Sequence, residues 1–242
     1  MELTNKKIII TGGTSGIGLD LVRMLSKQNR LIVIGRDAAK LAKLSADFNV
    51  VTYQAELSDI SSVEWIASSI IKDHKKIDVL INNAAVQYTP SFTSQNFKYE
   101  NIQREITTNF TSVCCLTSLL LPSLMNAPKA VILNVNSGLA LMPKTTSAIY
   151  CATKSALNSF SRSLRYQLED TNVRVLQALM PLVETKMTDG RGSGKLTSED
   201  AANRLIEGIE KQIEDNDIGK VKLLRWLMRL SPGAAANLMK RA

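Results

Sequence analysis

The sequence predicts an α/β protein built as a doubly wound parallel sheet with helices on both faces. Three observations predict this fold class. Strand-like and helical segments alternate from about residue 6 to residue 179, as in consecutive strand–helix–strand units. A glycine cluster follows the first strand directly. The 242 residues, 45% of them hydrophobic and 21% charged, suit one large domain spanning residues 1–242 with a sizeable core.

Each element has its own local signal. Short apolar stretches bounded by glycine or polar residues predict strands over 6–11, 31–34, 50–54, 77–82, 130–136 and 173–179. The fourth is almost continuously apolar, as is typical of a strand buried on both faces. Apolar residues at helical spacing predict helices over 16–28, 37–48, 58–73, 99–125 and 150–168. Ser58 or Asp59 is the expected N-cap of the third helix.

The alternation stops after residue 179. Three closely spaced glycines make the segment of about 186–197 the strongest candidate for a mobile lid. A helix is expected from about 197 to 213, because its first residues have capping chemistry. The end of the chain, about 219–242, is predicted to form a basic amphipathic helical tail.

The net charge of +8 resides in that tail. Residues 219–242 hold six lysines and arginines and no acid, so the rest of the chain is close to neutral. This distribution argues against nucleic-acid binding by the domain. No stretch reaches the roughly 18 uninterrupted apolar residues of a membrane span, and the N-terminus does not resemble a signal peptide. We therefore expect a cytoplasmic protein.

Cysteine and histidine usage argues against disulfide and metal sites. Cys114, Cys115 and Cys151 are odd in number and lack framework spacing, so free thiols are expected. His74 is the single histidine of the chain. We therefore expect no metal site, and no reaction that depends on a histidine base.

The glycine cluster predicts a dinucleotide site. The first strand runs into Thr11-Gly12-Gly13-Thr14-Ser15-Gly16-Ile17-Gly18. Glycines at these positions allow a tight turn and close approach to a pyrophosphate, and the next helix presents its free N–H groups to that phosphate. The cluster stands at the first strand–helix junction, where such sites belong, so the sheet is of Rossmann type.

The end of the second strand favours NADP, with NAD as the alternative. An NAD site usually has an acid there, which accepts hydrogen bonds from the adenosine ribose. This strand ends in Ile34-Gly35-Arg36, and a guanidinium can pair bidentately with a 2′-phosphate. Asp37 follows immediately and keeps the NAD alternative open.

Four motifs occur in a fixed order along the chain: the glycine loop, Asn82-Asn83-Ala84, Ser137, and Tyr150-Cys151-Ala152-Thr153-Lys154. A Tyr-x-x-x-Lys pair alone is common by chance. The complete set resembles the short-chain dehydrogenase/reductase family over residues 5–187. Two segments, Pro181-Leu182-Val183-Glu184-Thr185 and Leu230-Ser231-Pro232, are similar to the DltE-like oxidoreductase branch of that family.

The last motif suits carbonyl chemistry. Tyr150 and Lys154 are one helical turn apart and project from one face, so the ammonium would lower a tyrosine pKa that starts near 10. Tyr150 then protonates a developing alkoxide, or accepts the proton in oxidation. Ser137 would donate to the carbonyl oxygen. The resemblance implies that Lys154 also holds the nicotinamide ribose, and that Asn109 orients a water relaying protons from Lys154.

The loop and the resemblance together define an expected cofactor-binding set. It consists of Gly12, Thr14, Ser15, Gly16, Ile17, Gly18, Arg36, Glu56, Leu57, Asn83, Ala84, Tyr150, Lys154, Val183 and Thr185. The chain departs from the family pattern at three places. Ala85 replaces a glycine, and Glu56 replaces an aspartate that usually meets the adenine. Met180-Pro181 replaces the usual Pro-Gly after the sixth strand. None of these departures removes a catalytic group.

The leading hypothesis is an NADP-dependent carbonyl reductase or alcohol dehydrogenase. The expected pocket lining is mostly apolar (Leu139, Leu141, Met142, Gln87 and the lid), which favours an apolar substrate over a highly anionic one. A non-catalytic NADP-binding regulator is one alternative. A surface-associated protein, whose tail contacts an anionic membrane, is a less favoured one. The resemblance implies a homodimer or homotetramer paired through the helices at 99–125 and 150–168.

Overall fold

The computed structural model describes residues 1–240 and contains a seven-stranded parallel sheet. Its strands are β1 Lys7–Thr11, β2 Arg30–Gly35, β3 Val50–Gln54, β4 Val79–Asn82, β5 Ala130–Ser137, β6 Val173–Met180 and β7 Asp215–Asp217. Their order is β3-β2-β1-β4-β5-β6-β7, so the direction of winding reverses between β1 and β4. This confirms the predicted doubly wound fold class.

Helices cover both faces of the sheet. They are α1 Gly16–Leu25, α2 Ala38–Asp47, α3 Ile60–Asp73, α4 Glu100–Ile106, α5 Ser112–Met125, α6 Ala148–Gln167, α7 Ser198–Glu210, α8 Lys220–Leu230 and α9 Pro232–Lys240. A π-helical turn, Thr107–Thr111, joins α4 to α5, and short 3-10 turns occur at Gly138–Ala140 and Lys186–Thr188.

Two apolar clusters lie on opposite faces of the sheet. Successive strand residues point to opposite faces, so Ile8 and Ile10 join the cluster with α1, α2 and α7, whereas Ile9 joins the one with α3, α5 and α6. All three isoleucines are fully buried. Burial on both faces explains why the central strands read as continuous apolar runs.

The helix Glu100–Met125 is long and apolar enough, by length and composition, to cross a membrane. About half of its most apolar 18-residue stretch is buried inside the fold. Leu116, Leu120 and Leu124 pack in the cluster formed with α3 and α6. The apolar composition of this helix is therefore explained by packing against the protein's own core.

The sequence analysis missed β7. Its residues Asp215, Asn216 and Asp217 are polar and carry no strand pattern. They pair with β6, and two arginines neutralise the acids: Arg165 lies 3.0 Å from Asp215, and Arg225 donates twice to Asp217. An edge strand held by ion pairs gives no hydrophobic signal.

The predicted lid and tail both pack on the domain. Val183 and Leu196 form an isolated parallel bridge at the base of the lid. In the tail, Val221 is buried, and its side chain lies 3.0 Å from where a Cβ on Gly138 would stand. The opposite side of α8 leaves Leu223 and Trp226 exposed. Arg241 and Ala242, the end of the predicted tail, lie outside the described residues.

Candidate active site

The glycine loop lies between β1 and α1, at the point where the winding of the sheet reverses. Gly12 and Gly16 have φ angles of +70° and +52°, which a side chain disfavours. Ser15 is the N-cap of α1 but makes no side-chain cap bond, and the first turn holds no acid. Within residues 1–240, no side chain therefore accepts from the backbone N–H groups of this first helical turn. Such unpaired N–H groups at a helix N-terminus suit a phosphate.

The other loop residues lie close to β2 and to the lid base. Gly18 is in α1, where an added Cβ would stand 2.2 Å from the Gly12 carbonyl oxygen. The Thr14 methyl lies 3.2 Å from the Cβ position of Gly35, and the Thr185 methyl lies 3.0 Å from that of Gly16. Ser15 is exposed and Ile17 half-buried. The structure thus brings together the first turn of α1, the end of β2 and the segment after β6.

Asn83 faces the glycine loop from the end of β4. Its side-chain amide donates to the carbonyl oxygens of Thr11 (3.0 Å) and Gly12 (3.3 Å). The Thr11 hydroxyl accepts the backbone N–H groups of Asn83 and Ala84, each at 3.0 Å. The Asn83 side chain therefore holds the loop in place. The expected contact with a nucleotide is left to the backbone atoms of Asn83 and Ala84.

Arg36 and Asp37 have different surroundings at the end of β2. Asp37 caps α2, where its carboxylate accepts from the Lys40 N–H at 3.1 Å and pairs with the Lys40 ammonium at 3.3 Å. These bonds hold the pKa of Asp37 below its usual value. The Arg36 side chain is exposed, and within residues 1–240 no acid forms an ion pair with it. The charge of Asp37 is therefore paired, whereas that of Arg36 is not paired with any acid in residues 1–240.

Glu56 lies just past β3, at the adenosine end of the expected site. One carboxylate oxygen accepts from the Ser58 N–H at 3.2 Å, and the other lies 3.4 Å from Arg104. Leu57 is buried in the core. These contacts fix the orientation of the longer acid that stands here in place of an aspartate.

Val183 and Thr185 follow β6 at the base of the lid. Val183 is buried, and its carbonyl oxygen accepts from the Thr188 hydroxyl. Thr185 caps the turn Lys186–Thr188 through a reciprocal pair of bonds with Thr188. The segment is therefore hydrogen-bonded to the first turn of the lid that follows it.

Ser137, Tyr150 and Lys154 come together at the carboxyl end of β5. Lys154 is 3% exposed, its Nζ donates to the Val135 carbonyl oxygen at 2.9 Å, and it lies 5.6 Å from the centre of the Tyr150 ring. Ser137 ends β5, accepts from the Leu139 N–H at 3.2 Å, and faces the Tyr150 hydroxyl. Because α6 begins at Ala148, two residues earlier than predicted, Tyr150 and Lys154 stand within its first two turns.

Burial dominates the electrostatics of this group. It raises the pKa of Tyr150 well above 10, the nearby Cys151 and Glu105 raise it further, and Arg191 and the hydrogen bond with Ser137 lower it. Burial also lowers the pKa of Lys154 to about 8. Tyr150 is therefore a neutral phenol near pH 7. The expected lowering of its pKa by Lys154 is absent among the causes found in residues 1–240.

Asn109 lies in the π-helical turn, and its side chain is fully engaged. Its Oδ1 accepts from the Val86 N–H at 2.8 Å, and its Nδ2 donates to the Val86 carbonyl oxygen at 2.8 Å and to the Thr153 hydroxyl at 3.3 Å. One turn earlier, Glu105 accepts from the Tyr88 N–H at 3.2 Å. Asn109 and Glu105 together therefore fix the backbone of residues 86–88.

Sequence reasoning missed Glu105 and Arg191, two charged residues that act on Tyr150, and the nearby Lys144, which interacts with Arg191 and Cys151. Glu105 is 2% exposed, and burial raises its pKa to about 7. Lys144 precedes α6, Arg191 lies in the lid, and both are half-buried. The four-residue spacing from Asn109 was a signal that could have identified Glu105. No local pattern marks Arg191, because only the fold brings the lid to Tyr150.

Comparison with known proteins assigns the family. The sequence model of the short chain dehydrogenase family matches residues 6–196. An uncharacterized oxidoreductase, DltE of Bacillus subtilis, is 36% identical over 93% of this chain and 92% of its own. An NADP-dependent 3-hydroxy acid dehydrogenase of Schizosaccharomyces pombe is 31% identical over 94% of this chain and 89% of its own.

Solved structures share the fold over the whole chain. A short chain dehydrogenase from Burkholderia cenocepacia, in complex with NADP, superposes with a TM-score of 0.89 at 20% identity, covering 99% of both chains. One from Sphingobium yanoikuyae, in complex with NADPH, gives 0.83 at 23% identity, covering 97% of this chain and 94% of its own. The parallel sheet, the ordered motifs and these relatives all support the predicted similarity to DltE. The chain belongs to the short-chain dehydrogenase/reductase family of oxidoreductases.

Proposed function

We propose that the protein interconverts a carbonyl compound and an alcohol with NADP(H), using Ser137, Tyr150 and Lys154. The convergence of Ser137 and Lys154 on the Tyr150 phenol is the observation that carries this proposal. A binding module that only senses NADP has no need of this trio. We therefore place the non-catalytic regulator second.

A bound nicotinamide dinucleotide supplies or accepts the hydride at the substrate carbon. The first turn of α1 would hold its phosphates, Arg36 and Glu56 its adenosine end, and Val183 and Thr185 its nicotinamide end. The free N–H donors of α1 and the positive φ angles of Gly12 and Gly16 suit this group.

In the reducing direction, the carbonyl carbon gains the hydride and the oxygen gains a proton. Ser137 donates a hydrogen bond to that oxygen, and Tyr150 transfers its phenolic proton to it as negative charge develops. A raised pKa keeps Tyr150 protonated before the step. Lys154, with a pKa of about 8, can exchange protons near neutral pH. Asn109 holds the segment around Val86 in place through hydrogen bonds to the Val86 N–H and carbonyl oxygen.

The preference for NADP is proposed from Arg36. Its guanidinium is free, whereas the Asp37 carboxylate is bound to Lys40 and the start of α2. The S. pombe relative is named as NADP-dependent, and the B. cenocepacia and S. yanoikuyae structures contain NADP and NADPH. A short chain dehydrogenase/reductase of the same fold from Burkholderia phymatum was solved in complex with NAD, so the fold alone does not select the nucleotide.

Three further features of the working enzyme stay predictions. We propose that it is cytoplasmic, that the lid of about 186–197 closes over substrate, and that it forms a homodimer or homotetramer through α4–α5 and α6. Attachment to a membrane by the tail is less favoured, because Val221 and Leu224 of α8 are buried against the domain.

Turnover tests the proposal. The purified protein is mixed with NADPH or NADH and a panel of aldehydes and ketones, and nucleotide absorbance is followed. Tyr150→Phe should lower kcat/KM by at least about a hundredfold. Tyr166→Phe removes a hydroxyl from a side chain that is 67% exposed and serves as the matched control. Equal activity of Tyr150→Phe and wild type would overturn the mechanism.

A further inference from the structure

A cleft opens between α4 and the start of α6, and we call it the α4–α6 cleft. Its walls are α4, the first turn of α6 and the segment between β4 and α4, and ten residues line it. It contains about 340 Å³ of space, including the part open to solvent. This space suits a small molecule.

The α4–α6 cleft is separate from the site of the proposed reaction. Among the described residues that line it, there is no member of the trio Ser137, Tyr150 and Lys154, and none of the expected cofactor-binding set. Ala148 and Ile149 do line it, and they directly precede Tyr150 on α6. A molecule in the cleft would therefore lie next to the catalytic residues without occupying their place.

Glu105 brings a buried carboxyl group to the cleft. Its side chain lines the cleft, and the residue is 2% exposed. One oxygen accepts from the Tyr88 N–H at 3.2 Å, and over residues 1–240 the other oxygen has neither a hydrogen-bond donor nor a cation beside it. Burying a carboxylate without a cation costs free energy. The proposed reaction does not use Glu105, so a cationic ligand would supply its missing partner.

Aromatic rings are concentrated in the same cleft. They belong to 5% of the residues of the chain, yet Tyr88, Phe92 and Phe97 are three of the ten that line it. Phe92 and Phe97 stack with their ring centres 4.4 Å apart, and Phe92 is 59% exposed. The faces of such rings attract ammonium groups. Lys98 is the other charged residue of the lining and is exposed, so water screens its charge.

We propose that the α4–α6 cleft binds a small organic amine, whose ammonium group pairs with Glu105 and whose apolar part packs against the aromatic rings. A charge-assisted hydrogen bond to the carboxylate favours an ammonium over a neutral hydroxyl. A ligand carboxylate would be repelled by the like charge of Glu105. This inference goes beyond the proposed function, because it assigns a second site that takes no part in hydride transfer.

Calorimetric titration with benzylamine tests the site. The titration is run at about pH 8, above the pKa of about 7 that burial gives Glu105, so that the carboxylate is ionised while an alkylammonium keeps its proton. Benzyl alcohol has the same ring without the charge, and benzoate has the opposite charge. Glu105→Gln removes the charge but can still accept from the Tyr88 N–H. Glu169→Gln removes a charge from an exposed side chain and is the matched control.

We expect wild type to bind benzylamine at least about tenfold more tightly than benzyl alcohol, and benzoate more weakly than either. Glu105→Gln should lose this preference for the amine. Phe97→Leu, which removes the ring and keeps an apolar side chain, should weaken benzylamine binding by about 3- to 10-fold. Glu169→Gln, and wild type saturated with NADP⁺, should bind benzylamine within about twofold of wild type alone.

Four results would overturn the amine site: no binding of benzylamine, equal binding of amine and alcohol, an unchanged preference in Glu105→Gln, or displacement of benzylamine by NADP⁺. Circular dichroism checks that each variant is folded, and Phe97→Leu tests the cleft independently of Glu105. The titration needs no turnover, so its failure would leave the proposed function standing.

Discussion

Asn83 and Thr11 bind each other through both backbone and side chain. The Asn83 amide donates to the Thr11 carbonyl oxygen, and the Thr11 hydroxyl accepts from the Asn83 N–H, each at 3.0 Å. This pair joins the carboxyl ends of β1 and β4, the neighbouring strands between which the winding of the sheet reverses. The glycine loop is thereby held between two fixed points, so its shape should be sensitive to small changes in packing.

Gly18→Ala tests that sensitivity. The new methyl would stand 2.2 Å from the Gly12 carbonyl oxygen and 2.7 Å from the Asn83 amide nitrogen, so the loop must shift. We expect about 1–3 kcal/mol of lost stability and at least a tenfold loss of NADPH affinity in a fluorescence titration. Gly233→Ala, which has no atom within 4 Å of the new methyl, is the control. Unchanged affinity in Gly18→Ala would show that the loop does not hold the nucleotide.

Arg36→Gln tests the basis of NADP preference. Loss of a charge-assisted contact should weaken NADPH binding by about 10- to 100-fold and leave NADH binding within about twofold. Lys43→Gln removes an exposed charge from α2 and controls for the general electrostatic effect. If both nucleotides weakened equally, Arg36 would not be the 2′-phosphate partner.

Glu105→Gln tests the buried carboxyl. Burial raises its pKa from 4.5 to about 7, so the folded protein retains a proton that the unfolded chain releases. This proton favours the fold below pH 4.5, and the contribution is lost as pH rises to about 7. Relative to wild type, Glu105→Gln should therefore gain on the order of 3 kcal/mol in unfolding free energy between pH 4.5 and 8.

Urea unfolding at both pH values measures that difference. The carboxamide introduced by Glu105→Gln can still accept from the Tyr88 N–H through its carbonyl oxygen, so the contact itself is preserved. Glu169→Gln, on an exposed side chain, is the matched control. Parallel pH curves for wild type and Glu105→Gln would contradict the burial effect.

Much of the fold was predictable, because burial on two faces leaves a strong pattern. Strands such as β4 are apolar up to their last residue, and the glycine loop stands where a strand meets a helix. The polar edge strand β7 was not predictable, because its acids are stabilised by ion pairs, with Arg165 from 50 residues away and with Arg225 of α8, and not by a hydrophobic pattern. The π-helical turn at Asn109 has no local signal either.

The site was predictable in part for a similar reason. Tyr150 and Lys154 are neighbours along one helix, so their spacing alone places them together. The charge of Arg191 reaches Tyr150 only because the lid folds against the domain, and no sequence spacing records that approach.

The transfer of deuterium from nicotinamide to product tests the central claim most directly. NADPH carrying two deuterium atoms at C4 is incubated with wild type and a carbonyl substrate found in the panel, and the alcohol is analysed by mass spectrometry. We expect one deuterium per product molecule, on the carbinol carbon, and at least about a hundredfold slower formation of labelled product by Tyr150→Phe. Binding of NADPH without consumption by any carbonyl compound, or product without deuterium, would contradict it.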